Sequence, residues 1–156
     1  MTFCPGKVGP GRGHHWNRSL ASDLAALETW GTETLITLME AHELEAYRVA
    51  DLGERAEQQF GDGAWLHLPL VDRDVPDAAW EKRWQEVAPL LHQRLNARGR
   101  IVVHCLGGLG RTGLVACRLL VENGVPPDDA LARVRLERPG AVETPEQVAY
   151  VQGLTG

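Results

Sequence analysis

Residues 100–113 read RIVVHCLGGLGRTG, a stretch that predicts a strand running through a glycine-rich loop into a helix. The β-branched run before the loop is typical of a buried parallel strand. Gly107, Gly108 and Gly110 allow the backbone to curl with its N–H groups turned inward, which makes a concave site for an anion. The helix that begins near Arg111 adds the positive end of its dipole at the same point.

Outward from this loop, apolar periodicity and turn residues predict alternating strands and helices. Helices are expected at 19–30, in two pieces over 40–60, and at 77–97, 111–122, 128–138 and from 144 onward; strands are expected at 34–39, 64–68 and 100–104. Asp77 and Thr144 are candidate N-caps, Pro89 should kink its helix, and residues 4–13 are expected to be a loop. The alternation favours an α/β three-layer sandwich, with a central, mostly parallel sheet flanked by helices, in one domain over 1–156.

Composition excludes several classes of function. The 156 residues carry 16 Lys plus Arg against 21 Asp plus Glu, a net charge of −5 without a basic stripe, so no nucleic-acid partner is expected. No apolar run approaches the roughly 18 residues of a membrane span, and the N-terminus lacks the apolar core of a secretory signal, so no membrane partner is expected either. The oligomeric state is left open.

The cysteines indicate the compartment. Three cysteines, Cys4, Cys105 and Cys117, are an odd and sparse set, unlike a disulfide framework, and favour a reducing, cytoplasmic location. No two of them have zinc-ligand spacing, so neither a metal nor another cofactor is expected. Cys117 falls at helical spacing with apolar neighbours and is interpreted as a core residue.

Cys105, the first residue of the loop, is the candidate nucleophile. The helix end and Arg111 favour its thiolate form, and Thr112 could donate its hydroxyl hydrogen to the sulfur. Arg111 could bind two oxygens of a phosphate as a fork, while main-chain N–H groups hold the phosphoryl oxygens. The expected phosphate-binding residues are Leu106, Gly107, Gly108, Leu109, Gly110 and Arg111. These parts together suit the attack of sulfur on phosphorus.

Departure of the leaving oxygen needs a proton from a carboxylic acid. The segment 69–77, PLVDRDVPD, follows a neighbouring strand and holds Asp72, Asp74 and Asp77. In parallel sheets such loops meet at the carboxyl ends of the strands, so this segment, called here the acid loop, is the natural source of the acid. Asp77 is better explained as a helix cap, which leaves Asp72 and Asp74.

HCLGGLGRT, residues 104–112, resembles the H-C-x5-R-[S/T] signature of the cysteine-dependent protein tyrosine phosphatases. Its HC-x-GGLGR form is similar to the dual-specificity branch, and within it to the kinase-associated phosphatases and their bacterial relatives. The resemblance implies the phosphatase fold and hydrolysis of phosphomonoesters through a cysteinyl phosphate. The implied partner is a phosphorylated protein, with phosphotyrosine preferred and phosphoserine or phosphothreonine also considered.

The resemblance also assigns two roles outside the loop. Asp72, three residues after Pro69, falls on the general acid of the family. In RPGAVETPEQVAYV, Gln147 falls on a glutamine that helps orient the hydrolytic water. An alternative role for Gln147 is only to close a capping box with Thr144.

Other functions fit the same residues less well. Gly108 to Gly113 formally match the dinucleotide fingerprint G-x-G-x-x-G, but the residues that follow read as helices, where the fingerprint requires a strand with an acidic residue. A rhodanese or an arsenate-reducing enzyme also uses a cysteine in an anion loop, but Thr112 and the separate acid loop favour a phosphatase. A catalytically weak module that binds phosphorylated ligands remains the alternative.

Overall fold

The computed structural model describes residues 1–155. Within these residues it contains two small sheets and seven helices. In chain order the elements are β1 (Val8–Pro10), β2 (His15–Asn17), α1 (Leu20–Trp30), β3 (Thr32–Thr37), α2 (Ala41–Ala46), α3 (Leu52–Phe60), β4 (Trp65–His67), α4 (Ala78–Asn96), β5 (Arg100–His104), α5 (Gly110–Glu122), α6 (Pro127–Glu137) and α7 (Pro145–Gln152).

The central sheet has the order β4-β3-β5, and all its strands are parallel. In this register Thr37 lies opposite both His67 and His104, so the three strands end at the same edge. Thr2 forms an isolated parallel bridge with His104 and so places the N-terminus beside β5. The predicted parallel sheet is confirmed, although β3 begins and ends two residues before the expected 34–39.

Helices cover both faces of this sheet. Leu35 and Val102 belong to one apolar core, which α1, α2 and α3 cover. Their neighbours Ile36 and Val103 belong to the other core, which contains residues of α4, α5, α6 and α7. Successive strand side chains point to opposite faces, so each strand supplies both cores. The three-layer α/β sandwich is confirmed.

The helix ends follow the capping signals of the sequence. Ser19 accepts from the N–H of Ser22 at the start of α1, and Gly31 ends that helix in the left-handed region at φ 89°. Asp77 accepts from the N–H of Trp80 at 2.8 Å and begins α4 as predicted. Pro89 lies inside α4, and the expected break within 40–60 separates α2 from α3.

The expected loop at 4–13 is wrong in part, because β1 lies within it and pairs antiparallel with β2. The side chain of Trp16 in β2 packs on Phe3, with the ring centroids 5.4 Å apart. The hydroxyl of Tyr47 donates to the carbonyl of Pro10 at 3.3 Å. Each strand has three residues, too few to show an apolar alternation, so tertiary packing stabilises this hairpin.

Across the described part of the chain, no helix combines the length and the apolar composition needed to cross a bilayer. Over the same residues, no group of three or more His, Cys, Asp or Glu is arranged to hold a metal ion.

Candidate active site

The carboxyl ends of the three parallel strands open into a cleft of about 500 Å³. The segment 105–111, called here the cysteine loop, contributes Leu106, Gly107 and Leu109 to its lining, and Asp72 lines it as well. Phe3 near the N-terminus, Trp16 in β2 and Tyr47 after α2 also line it. Ligands of parallel α/β sheets bind at such an edge, which supports this cleft as the site.

A second hollow of about 560 Å³ has different chemistry. It is lined mostly by apolar side chains such as Leu95, Leu120 and Val134, and it holds none of the predicted site residues. We therefore place the chemistry in the cleft at the strand ends.

Arg111 is buried, and its guanidinium contacts the backbone carbonyls of Leu38 and Leu70, which follow β3 and β4. Nη1 donates to the carbonyl of Leu70 at 3.0 Å and to Oε2 of Glu43 at 2.7 Å, while Nη2 donates to Oε1 of Glu43 at 2.9 Å. Nη2 also lies 3.0 Å from Oδ1 of Asp72. Both terminal nitrogens of the guanidinium are thus held by Glu43, and Nε takes no part in these contacts.

Glu43 is a site residue that the sequence interpretation missed. Its Oε2 also accepts from the backbone N–H of Glu40 at 2.8 Å at the start of α2, which fixes the carboxylate toward Arg111. Burial alone would raise the pKa of Glu43, but the hydrogen bonds from Arg111 and Glu40 outweigh it and hold this pKa below its usual value. Glu43 is 68 residues from Arg111, so no motif spacing points to the pair.

Two buried polar atoms lack a partner among the described residues: Nε of Arg111 and Oγ1 of Thr112. Leaving such atoms unsatisfied costs about 1–3 kcal/mol each, so their presence at one place requires an explanation. Both belong to residues predicted from the sequence to act on the phosphoryl group or the sulfur. A bound oxyanion would supply the missing acceptor to Arg111.

The side chains of the three aspartates in the acid loop make different contacts. Asp72 has a side chain that is 59% exposed, and its carboxylate reaches Arg111. The carboxylate of Asp74 accepts from the N–H of Val75 at 2.8 Å, so it is turned to its own loop. Asp77 caps α4. Of the candidates that the sequence left open, only Asp72 brings its carboxylate to another predicted site residue.

His104 is the buried end of a hydrogen-bond chain. Its Nδ1 lies 3.4 Å from the carbonyl oxygen of Cys105. Because a carbonyl oxygen can only accept, Nδ1 carries the hydrogen of the neutral ring. Nε2 is then the acceptor, and the hydroxyl of Thr37 donates to it at 2.7 Å. Thr37 in turn accepts from Nε1 of Trp65 at 2.8 Å. Complete burial lowers the pKa of His104 to about 4, so the ring stays neutral at physiological pH and keeps this pattern of hydrogen bonds.

Gln147 is buried, and both ends of its amide are engaged. Oε1 accepts from the N–H of Glu143 at 2.9 Å and of Thr144 at 3.4 Å, while Nε2 donates to the carbonyl of Asp74 at 3.1 Å. Oγ1 of Thr144 in turn accepts from the N–H of Gln147 at 3.1 Å. The side chain therefore caps α7 and ties it to the acid loop.

Glu143 was also missed, and it reaches the cysteine loop itself. Its Oε2 accepts from the backbone N–H of Gly110 at 3.0 Å, and its Oε1 lies 3.8 Å from Arg12. A side chain at Gly110 would meet this carboxylate at 2.7 Å. The preceding Val142 has φ 57°, a conformation rare for a β-branched residue, and this turn presents Glu143 to the loop.

The three cysteines are all free and buried. Cys105 is 3% exposed, where β5 ends and the loop begins. Burial raises the pKa of Cys4 to about 12 and that of Cys117 to about 11, so both remain thiols at neutral pH. Cys117 packs in the core on the α4–α7 side.

A family model described as "Polymorphic toxin system, DSP-PTPase phosphatase" matches residues 10–125. Among curated proteins, cyclin-dependent kinase inhibitor 3 of Mus musculus is 31% identical over 138 residues, which cover 86% of this chain and 62% of that protein. The dual specificity protein phosphatase CDC14C of Homo sapiens is 37% identical over 101 residues, covering 63% of this chain and 21% of that protein. This chain thus spans less than two thirds of either relative.

Two solved structures are similar over nearly the whole chain. Kinase associated phosphatase, crystallised with its catalytic-site cysteine replaced by serine, has a TM-score of 0.81 at 28% identity, with 96% of this chain and 80% of that chain covered. Tk-PTP in its active form has a TM-score of 0.69 at 27% identity, with 95% of both chains covered.

Proposed function

This chain belongs to the DSP-PTPase family of phosphatases, and we propose that it hydrolyses phosphomonoesters through a cysteinyl phosphate. The preferred substrate is phosphotyrosine in a protein, and phosphoserine and phosphothreonine are accepted as well. The observation that carries the proposal is a pair of buried atoms with no partner among residues 1–155, Nε of Arg111 and Oγ1 of Thr112, which follow Cys105 by six and seven positions in the chain.

In the first step the thiolate of Cys105 attacks phosphorus, and the bond from phosphorus to the ester oxygen breaks. Asp72 donates a proton to the leaving oxygen. Nε of Arg111 and the backbone N–H groups of 106–111 hold the phosphoryl oxygens, and the N-terminal end of α5 adds positive charge. The reaction uses no metal or cofactor, because these groups neutralise the developing charge.

In the second step a water molecule attacks phosphorus, its proton passes to Asp72, and the sulfur–phosphorus bond breaks to return the thiolate. Thr112 stabilises that thiolate by donating its hydroxyl hydrogen. Placement of the water by Gln147 stays a prediction from the resemblance, since its amide is engaged by the backbone of Glu143 and of Asp74.

We place this chemistry in one domain over residues 1–156 and in a reducing, cytoplasmic compartment, where a thiolate nucleophile is preserved. The three free cysteines support that location.

The test compares the purified protein with two variants on para-nitrophenyl phosphate and on matched phosphotyrosine and phosphothreonine peptides. Cys105→Ser should abolish turnover and retain phosphopeptide binding, whereas Cys117→Ala, at a core cysteine, should retain turnover. Full turnover by Cys105→Ser would refute the nucleophile. Peptide binding without hydrolysis by the unaltered protein would indicate a binding module instead.

A further inference from the structure

The carbonyl oxygens of the cysteine loop are held by cations from outside the loop. Nζ of Lys7 donates to the carbonyl of Leu106 at 2.9 Å. Arg138 donates from Nη2 to the carbonyl of Gly107 at 3.1 Å and from Nε to the carbonyl of Gly108 at 3.3 Å. Three consecutive peptide groups therefore have a positive charge at their oxygen ends.

A peptide group is a dipole whose N–H points away from its carbonyl oxygen. The carbonyls of Leu106, Gly107 and Gly108 belong to the same peptide groups as the N–H groups of the next residues, 107–109. When a cation binds the carbonyl oxygen of a peptide group, the N–H of that group points away from the cation. The cation also increases the positive potential at the N–H, where an oxyanion binds.

Lys7 is placed in an unusual way for a lysine. It is 3% exposed, and its Nζ lies 3.9 Å from the ring centroid of Trp16 and 4.9 Å from that of Phe3. Burial lowers the pKa of Lys7, and the nearby Cys4 and Cys105 act against that shift when they carry negative charge. Lys7 holds the carbonyl of the residue that follows Cys105, so its charge attracts the negative charge that the sulfur carries in the proposed reaction.

Arg138 reaches the loop from a different part of the chain. It follows the end of α6 and lies 30 residues from Gly108, whereas Lys7 lies 99 residues from Leu106. Two distant segments thus place a cation on the same turn of backbone. A loop that needed only to be closed could use neutral donors for this purpose.

We propose that Lys7 and Arg138 are positioning residues for the phosphatase reaction: they hold the peptide groups between Leu106 and Leu109 with the N–H groups toward the phosphoryl oxygens. Their charges strengthen oxyanion binding and stabilise the thiolate of Cys105. This role rests on the proposed function, and it extends the site to two residues outside the signature.

The experiment compares Lys7→Met and Arg138→Met with matched controls. Lys82→Met changes the other lysine of the chain, and Arg133→Met changes an exposed arginine of α6. Inorganic phosphate binding, measured by calorimetry, should weaken about tenfold in each test variant and stay unchanged in the controls, the scale expected for loss of one charge-assisted bond. Arg138→Lys should recover part of the loss.

The second measurement does not depend on turnover. Alkylation by iodoacetamide at pH 6 reports Cys105, because burial raises the pKa of Cys4 and of Cys117 far above that pH. We expect the rate to fall severalfold in Lys7→Met and Arg138→Met. A structural role alone would lower the melting temperature and leave this rate unchanged in the folded protein.

If Lys7→Met does not fold, Arg138→Met decides the question, because Arg138 is only half-buried and its loss leaves no core cavity. Folded Arg138→Met with unaltered phosphate affinity and unaltered alkylation would overturn the proposal. Failure of the unaltered protein to bind phosphate or to turn over any phosphomonoester would instead refute the proposed function.

Discussion

The carboxylate of Glu143 accepts a hydrogen bond from the backbone N–H of Gly110 at 3.0 Å. In the proposed reaction this N–H is one of the donors to the phosphoryl group, so Glu143 and the ligand would compete for it. Two negative groups at one donor also repel each other. Binding of an oxyanion at this donor therefore requires Glu143 to move away from Gly110.

Glu143→Gln should accordingly tighten the binding of inorganic phosphate by roughly fivefold to tenfold, on the order of 1 kcal/mol for one partly screened like-charge contact. The amide keeps the size of the side chain and can still accept from Gly110. Competitive inhibition of para-nitrophenyl phosphate hydrolysis measures the effect. Glu146→Gln, an exposed position on the next turn, is the control and should change nothing. An unchanged inhibition constant in Glu143→Gln would show that the two anions do not compete.

Asp72→Asn should lower kcat for phosphotyrosine by roughly 10²–10⁴-fold, because a general acid contributes that much to departure of a poor leaving group. Asp74→Asn should have a small effect, since its carboxylate only caps the N–H of Val75. Steady-state kinetics on the two variants decide between them. If Asp74→Asn shows the larger loss, Asp72 is not the acid.

Glu43→Gln should disrupt the fork that holds Arg111. Removing one partner of a buried ion pair costs about 3–5 kcal/mol of unfolding free energy, and misplacing Arg111 should lower kcat/KM by at least roughly tenfold. Urea denaturation and kinetics measure the two effects. Glu45→Gln, exposed on the same helix, is the matched control. Wild-type kinetics in Glu43→Gln would mean that the cysteine loop alone positions Arg111.

The neutral, buried His104 makes stability depend on pH. Its pKa is lowered from 6.5 to about 4 in the folded protein, so below pH 6.5 the unfolded chain binds a proton that the folded chain does not. The free energy of unfolding should therefore fall as pH decreases from 6.5 to 4, by about 3 kcal/mol in total. Denaturant titrations across this range should show the slope in the unaltered protein and in His15→Asn, which changes an exposed histidine. The same slope in His104→Asn would assign it to another group.

Gly107 and Gly108 are adjacent but should respond differently to alanine. Gly108 has φ 68°, and an added Cβ would lie 2.4 Å from the carbonyl oxygen of Thr2. Gly107 has no atom within 4 Å of that position. Gly108→Ala should destabilise the protein by at least about 1–2 kcal/mol and remove most activity, whereas Gly107→Ala should stay within a few fold of the unaltered protein. Equal losses of stability and activity in the two variants would contradict the close approach of Thr2 to Gly108.

The cysteine loop and its flanking elements could be predicted from the sequence because their determinants are local. The β-branched run, the glycines and Arg111 lie within 14 consecutive residues, and the caps Ser19, Asp77 and Thr144 each accept from the N–H group three positions later. The resemblance added the assignment of Asp72, which the fold then brings to Arg111.

What surrounds the loop was decided by tertiary structure alone. Glu43, Glu143, Lys7 and Arg138 reach it from four segments that the parallel sheet and its crossovers bring to one edge. Residue spacing along the chain does not predict such contacts, because each depends on how two elements distant in sequence pack together. The hairpin of β1 and β2 was missed for the same reason, since its stability comes from packing against Phe3 and Tyr47. Local chemistry thus determined which atoms can react, and the packing of distant elements determined how those atoms are held.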